Sequence, residues 1–182
     1  MEKTLRKTAV RLSKEAVFIL ITVASAIVLP QILHVAGAWL GLGGKLGQML
    51  LPMYLPTMIL AFYRGAVPGA IVGLLAPIIS FSLTEMPTAA LLPYITVELV
   101  ATGVGAGLLR DVKLPAPLRV ISVQVVAKIT RLAVFAIVSL AVNGTVTAAS
   151  LSAGILTSVP GLALQLAVVS LLIFFREKKT KA

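Results

Sequence analysis

The chain has 182 residues, 59% of them hydrophobic and only 12% charged, whereas an ordinary soluble domain has roughly a quarter of its residues charged. It has no cysteine and a single histidine, His34, which excludes disulfides, thiolate metal sites and a multi-histidine metal centre. The formal charge of +10 is concentrated at the two ends and in short connections, a placement that fits membrane topology and argues against nucleic-acid binding.

A transmembrane helix needs ~20 mostly apolar residues, within a range of about 17 to 25. On that criterion residues 1–182 form one all-α integral membrane domain, with spans predicted near 16–35, 48–63, 66–84, 88–109, 119–142 and 148–174. Residues 1–15 are a basic, amphipathic lead-in to a retained first helix, because the apolar run continues beyond Ala26 without an obvious cleavage site. The first connection, "HVAGAWLGLGGKLGQ" (34–48), is rich in glycine. It reads equally as an ordered lid over a pocket or as a flexible linker, and it has no phosphate-loop pattern. The second span is short and carries Pro52 and Pro56 in "LPMYLPTMIL", which predicts a kink or an irregular stretch buried by neighbouring helices. Later turns are predicted at "YRGAVPG", "TEMPT", "RDVKLPAP" and "NGTVT". Residues 175–182 form a basic tail.

Lysine and arginine set the expected orientation. Lys3, Arg6, Lys7, Arg11 and Lys14 precede the first span; Arg64 follows the second; Arg110, Lys113 and Arg119 follow the fourth; Arg176, Lys178, Lys179 and Lys181 end the chain. All of these fall on one side, and only Lys45 falls on the other, so both termini are expected in the cytoplasm.

Two cations remain, Lys128 and Arg131, in the middle of the fifth span. A charge near the centre of a bilayer costs at least ~2.5 kcal/mol on insertion scales and usually marks a site, a pathway or an ion pair. Gln124, Lys128, Arg131 and Phe135 share one helical stripe, as do Tyr94, Glu98 and Thr102 on the fourth span. One reading is a buried ion pair between Glu98 and a cation, locking two helices together. That leaves one cation over, which favours a polar pocket in which Lys128 pairs with Glu98 and Arg131 meets an acidic ligand group. Gln165, Tyr94 and Asn143 are further candidates, each with an equally good structural reading as an interhelical, interfacial or turn residue. His34 reads as an interface residue. There is no catalytic constellation and no metal or cofactor motif, so a non-enzyme is expected.

The stretches "LPMYLPTMILAFYRGAVPGAIVGLLAPIISFSLTEMP" (51–87) and "VELVATGVGAGLL" (97–109) resemble a pattern common among the substrate-binding S components of energy-coupling factor (ECF) transporters. In it, a Pro-rich second helix turns tightly into a Gly-rich third. The resemblance implies an S-component-like bundle of six helices in a prokaryotic plasma membrane. It implies capture of a vitamin or related micronutrient from outside, and docking on a transmembrane coupling subunit driven by two ATPase subunits. It also implies a ligand role for the position of Tyr54, where several members carry histidine. Small residues on the first helix would pack on the coupling subunit, here Ala16, Thr22, Ala24 and Ala26. A stand-alone secondary carrier of a small anion and a structural membrane subunit are the alternatives from other classes.

Overall fold

The computed structural model describes residues 2–43, 45–142 and 157–181. Among them the chain is all helix: α1 (Glu2–Trp39), α2 (Lys45–Leu50), α3 (Tyr54–Arg64), α4 (Ala66–Thr84), α5 (Leu92–Leu108), α6 (Ala116–Val142) and α7 (Val159–Lys181). Four of these helices, α1 from Leu12 onward, α4, α6 and α7, are long and apolar enough to cross a membrane. The outer surface is apolar as well: Leu20, Ile129 and Ile137 are 67%, 59% and 67% exposed. Such a surface suits lipid and would be a liability in water.

The second predicted span is not one helix. It breaks at Leu51–Met53, between the 6-residue α2 and the 11-residue α3. Pro52 is the cause, because its ring disfavours helical dihedrals at the preceding residue, and Leu51 turns to φ 47°. Past the break the carbonyls find local donors: Leu51 O accepts from the Tyr54 amide at 3.1 Å and Met53 O from the Thr57 hydroxyl at 2.9 Å. At ~1.5 Å per residue α3 is only about 17 Å long. It is buried nearly all round, through Tyr54, Thr57, Met58, Leu60, Ala61 and Phe62. It supplies both core clusters, one with α1, α4 and α5 and the other with α5, α6 and α7.

The first connection is shorter than expected. α1 continues through His34 to Trp39, and the chain then turns within 40–43. Gly37 O accepts from the amides of Leu42 (2.8 Å) and Gly43 (3.0 Å). Gly41 and Gly43 adopt φ 72° and 55°, which a side chain would strain. Alanines and Trp39 favour continuing the helix, so the glycines serve one tight turn in place of a 15-residue loop.

Two of the four residues expected to face a partner do not. Thr22 and Ala26 are buried against the chain's own core, Ala26 completely, while Ala16 and Ala24 are exposed. The inward stripe of α1 is Ile19, Thr22, Val23, Ala26 and Ile27, at helical spacing, and its small members let α1 approach the core closely.

α4 and α5 are joined backbone to backbone. A Cβ on Gly69 would lie 2.6 Å from Gly103 O, one on Gly73 2.6 Å from Leu99 O, and one on Gly103 would meet Gly69 O closer still. Gly69 thus meets Gly103, Gly73 the backbone of Leu99, and Gly107 the backbone at Gly65 and Ala66, a four-residue spacing of small residues that allows helices to touch in lipid. Gly105, on the other side of α5, has only Val123 methyls at 3.8 Å. Substitutions two residues apart should therefore act in opposite directions in thermal unfolding in detergent. Gly103→Ala should destabilise by about 1–3 kcal/mol through overpacking, whereas Gly105→Ala should be neutral or stabilise by up to ~1 kcal/mol through helix propensity.

Candidate functional site

The glycine contacts hold α5 against α4, and Glu98 then projects from α5 toward α6. It lies six residues inside Leu92, the start of α5, or about 9 Å along the helix axis at ~1.5 Å per residue. Facing it, Lys128 and Arg131 are three residues apart and therefore on one face of α6. Lys128 Nζ is 2.6 Å from Glu98 Oε1, and Arg131 Nη1 donates to Glu98 Oε2 at 3.0 Å. Side-chain exposure is 1% for Glu98, 14% for Lys128 and 11% for Arg131. Glu98 Oε1, Lys128 Nζ and Arg131 Nε are all buried, and only other parts of the two cationic side chains are slightly exposed.

This corrects the expected division of roles. Glu98 does not pair with Lys128 alone, leaving Arg131 for a ligand; its two oxygens bridge both cations. A 4-atom lysine stem and a guanidinium three residues further along reach the same carboxylate, so one acid neutralises half of the charge opposite it. Of the other acids, Glu15 pairs with Arg64, Asp111 with Arg110 and Arg176, and Glu177 with Arg119, so none of these three serves the triad. The triad therefore carries one net positive charge.

Other predicted residues surround it. Tyr54 opens α3 directly after the Pro52 break, and its ring centroid is 5.7 Å from Lys128 Nζ, within cation–π range. Its hydroxyl is buried beside the Glu98 carboxylate, and Arg131 Nε and Gln165 Nε2 are buried without a hydrogen-bond partner among the described residues. One helical turn beyond Glu98 and Arg131, Tyr94 and Phe135 meet with ring centroids 6.0 Å apart at 55°, a tilted arrangement favoured by aromatic quadrupoles. One turn in the other direction, the Gln124 amide donates to Leu162 O at 3.0 Å and to Gln165 Oε1 at 3.4 Å, tying α6 to α7. The α6 stripe thus reads, in order, as an amide bridge to α7, an ion triad with α5 and an aromatic pair with α5.

Thr102 does not take part: its hydroxyl donates to the Glu98 carbonyl of its own helix at 2.8 Å. Asn143 lies outside the described residues. His34 packs against Gly47, where a Cβ would lie 2.9 Å from the imidazole, so it joins α1 to α2 away from the triad. Arg119, counted among the basic residues that follow the fourth span, is 2% exposed, donates to Arg110 O at 3.0 Å and pairs with Glu177. The available signal for that burial was its place one turn after "PAP", inside the helix that this sequence starts.

No protein-family model matches the chain, and no match is found among curated proteins or solved structures.

The triad predicts an order of effects on stability. Glu98→Gln leaves two buried cations with no counter-charge and should cost about 3–5 kcal/mol. Lys128→Met leaves a one-to-one Glu98–Arg131 pair and should stay within ~1 kcal/mol of wild type or exceed it. Thermal unfolding in detergent checks both. Equal losses for the two variants would mean that Lys128 is as necessary to the fold as Glu98.

Proposed function

We propose that this chain is a membrane-embedded substrate-binding subunit of the ECF S-component type, capturing a small anionic, vitamin-like molecule. The observation that carries this reading is the unmatched positive charge at Glu98–Lys128–Arg131. An isolated charge in a low-dielectric interior is expensive. A carboxylate or phosphate on the ligand would neutralise it, with the Arg131 fork suited to two parallel hydrogen bonds. The donors left open at Arg131 Nε and Gln165 Nε2 would be available to such a ligand, and Tyr94 and Phe135 offer an aromatic boundary.

The same reading has the chain cross the membrane six times, with α2–α3 together and α5 as the two shorter crossings, and with both termini in the cytoplasm. Its support is the clustering of basic residues at one end of the bundle. Arg64 pairs with Glu15 (3.1 Å), Arg119 with Glu177, and Arg110 and Arg176 share Asp111. Arg176 also donates to Phe62 O. Ala16 and Ala24 remain exposed for a coupling subunit, and ATP hydrolysis would belong to partner ATPases. A structural role is the second reading, favoured by the way Glu98 ties both cations of α6 to α5.

Cysteine replacing Lys45 should react with an impermeant reagent in whole cells, and cysteine replacing Val112 should not; the reverse pattern would invert the orientation. Native mass spectrometry of gently purified protein should show a retained small anion. Lys128→Met, which cancels the unmatched charge while keeping the fold, should weaken its binding by about 2–5 kcal/mol, measured by titration calorimetry with the retained compound. Vesicles holding this chain alone should bind the compound without concentrating it. Accumulation driven by a proton or sodium gradient would establish a secondary carrier, and a chain that retains nothing would leave the triad as a helix lock.

A further inference from the structure

A second feature lies on the lipid-facing side of the bundle, away from the triad. Because α3 is short and recessed, α1 and α7 leave an open groove of about 640 Å³ along it, lined by Phe18 and Ser25 of α1, Leu55, Ile59 and Tyr63 of α3, and Leu172 of α7. Its hydroxyls are already used: Thr22 donates to Phe18 O (2.7 Å), Ser25 to Ile21 O (2.8 Å) and Tyr63 to Leu172 O (3.1 Å). Its wall therefore presents hydrocarbon, and a polar solute would gain little there.

One end of the groove is different. Arg64 closes it, with its guanidinium 3.9 Å from the centroid of the Phe18 ring and 31% of its side chain exposed. Arg176 lies 5.5 Å from the Tyr63 ring centroid on the α7 side, and Lys14 is exposed on α1. The acids at this end are Glu15, 3.1 Å from Arg64, Asp111, 3.8 Å from Arg176 and 3.5 Å from Arg110, and Glu177, which pairs with Arg119. Lys14, Arg64, Arg110, Arg119 and Arg176 outnumber them, so this end is positive. From Leu55 to Arg64 the helix rises about 14 Å, which is close to one leaflet's share of a ~30 Å hydrocarbon core.

We propose that this groove is a binding site for an anionic glycerophospholipid, with an acyl chain along α3 and the phosphate at Arg64 and Lys14. An apolar channel one leaflet long that ends in cations has the shape and charge of such a lipid. Basic pockets between transmembrane helices recognise anionic headgroups in this way. The inference does not depend on the transport reading, because none of the groove residues belongs to the triad.

The test uses the full chain in neutral detergent, titrated with dioleoyl phosphatidylglycerol or dioleoyl phosphatidylcholine, with retained lipid counted by native mass spectrometry and thermal unfolding followed in parallel. Phosphatidylglycerol should be retained about fivefold or more over phosphatidylcholine, and Arg64→Gln should remove most of that preference. Ile59→Trp and, independently, Ser25→Phe fill the channel and should each lower phosphatidylglycerol retention about tenfold, the effect of withdrawing two or so methylenes from apolar burial. Equal retention of both lipids overturns the proposal, as does retention unchanged in both filled variants. Displacement of the lipid by millimolar inorganic phosphate would reduce the site to a surface anion contact and also overturns it. So would a dimer of the chain that binds no lipid and is lost in Ile59→Trp, which would assign the groove to helix packing.

Discussion

One carboxylate between two cations governs how this bundle is assembled. In lipid, apolar helix faces are nearly interchangeable, because burying leucine against leucine gains little over burying it against acyl chains. Rotation of α6 about its own axis would therefore be weakly specified by its many valines and isoleucines. Lys128 and Arg131 remove that freedom, since a rotation of one residue position, about 100°, would carry both cations away from Glu98 and into hydrocarbon. Glu98 is itself held by α5, and α5 by the glycines that put its backbone against α4. The chain of dependence runs from small residues, to a fixed helix, to a placed acid, to a placed pair of cations.

α3 connects this arrangement to the rest of the molecule. Its first residue, Tyr54, lies under Lys128, and its last, Arg64, closes the lipid-facing groove. Both positions follow from the same break at Pro52. A continuous helix through 48–63 would be about 24 Å long, half as long again as α3. The broken one is short enough to sink among α1, α4, α5 and α7, and it leaves the groove outside. Breaking the helix places one non-glycine residue, Leu51, at positive φ, a sparsely populated conformation that persists because surrounding structure holds it.

Much of this was readable in the residues alone, and the failures have specific causes. Apolar run length located α4, α6 and α7 because hydropathy over ~20 residues is the membrane's own criterion. The two polar stripes did meet, since i, i+4 spacing reports a helix face whatever that face packs on. The expected Lys128–Glu98 pair is present, but counting charges one-to-one leaves out Arg131, because a carboxylate has two oxygens and can bridge. Thr22 and Ala26 were misassigned because small residues favour close helix approach without saying whether the neighbour belongs to the same chain. The glycines at 37–47 suggested a long loop, yet composition does not reveal that only Gly41 and Gly43 need positive φ.

The two clusters in which one acid serves two cations show how environment decides meaning. At the basic end, Asp111 stands between Arg110 and Arg176, and it is 80% exposed. There water and salt screen the extra charge, and each pair contributes about 0–1 kcal/mol at most. Glu98 makes the same two-to-one arrangement at 1% exposure, where screening is lost and an unmatched cation is costly. A purely structural lock would be better served by a single cation, since removing the second would relieve the bundle of a charge without unpairing Glu98. That the chain carries both is what motivates the proposed anionic ligand, whose charge would complete the neutralisation that Glu98 leaves half done.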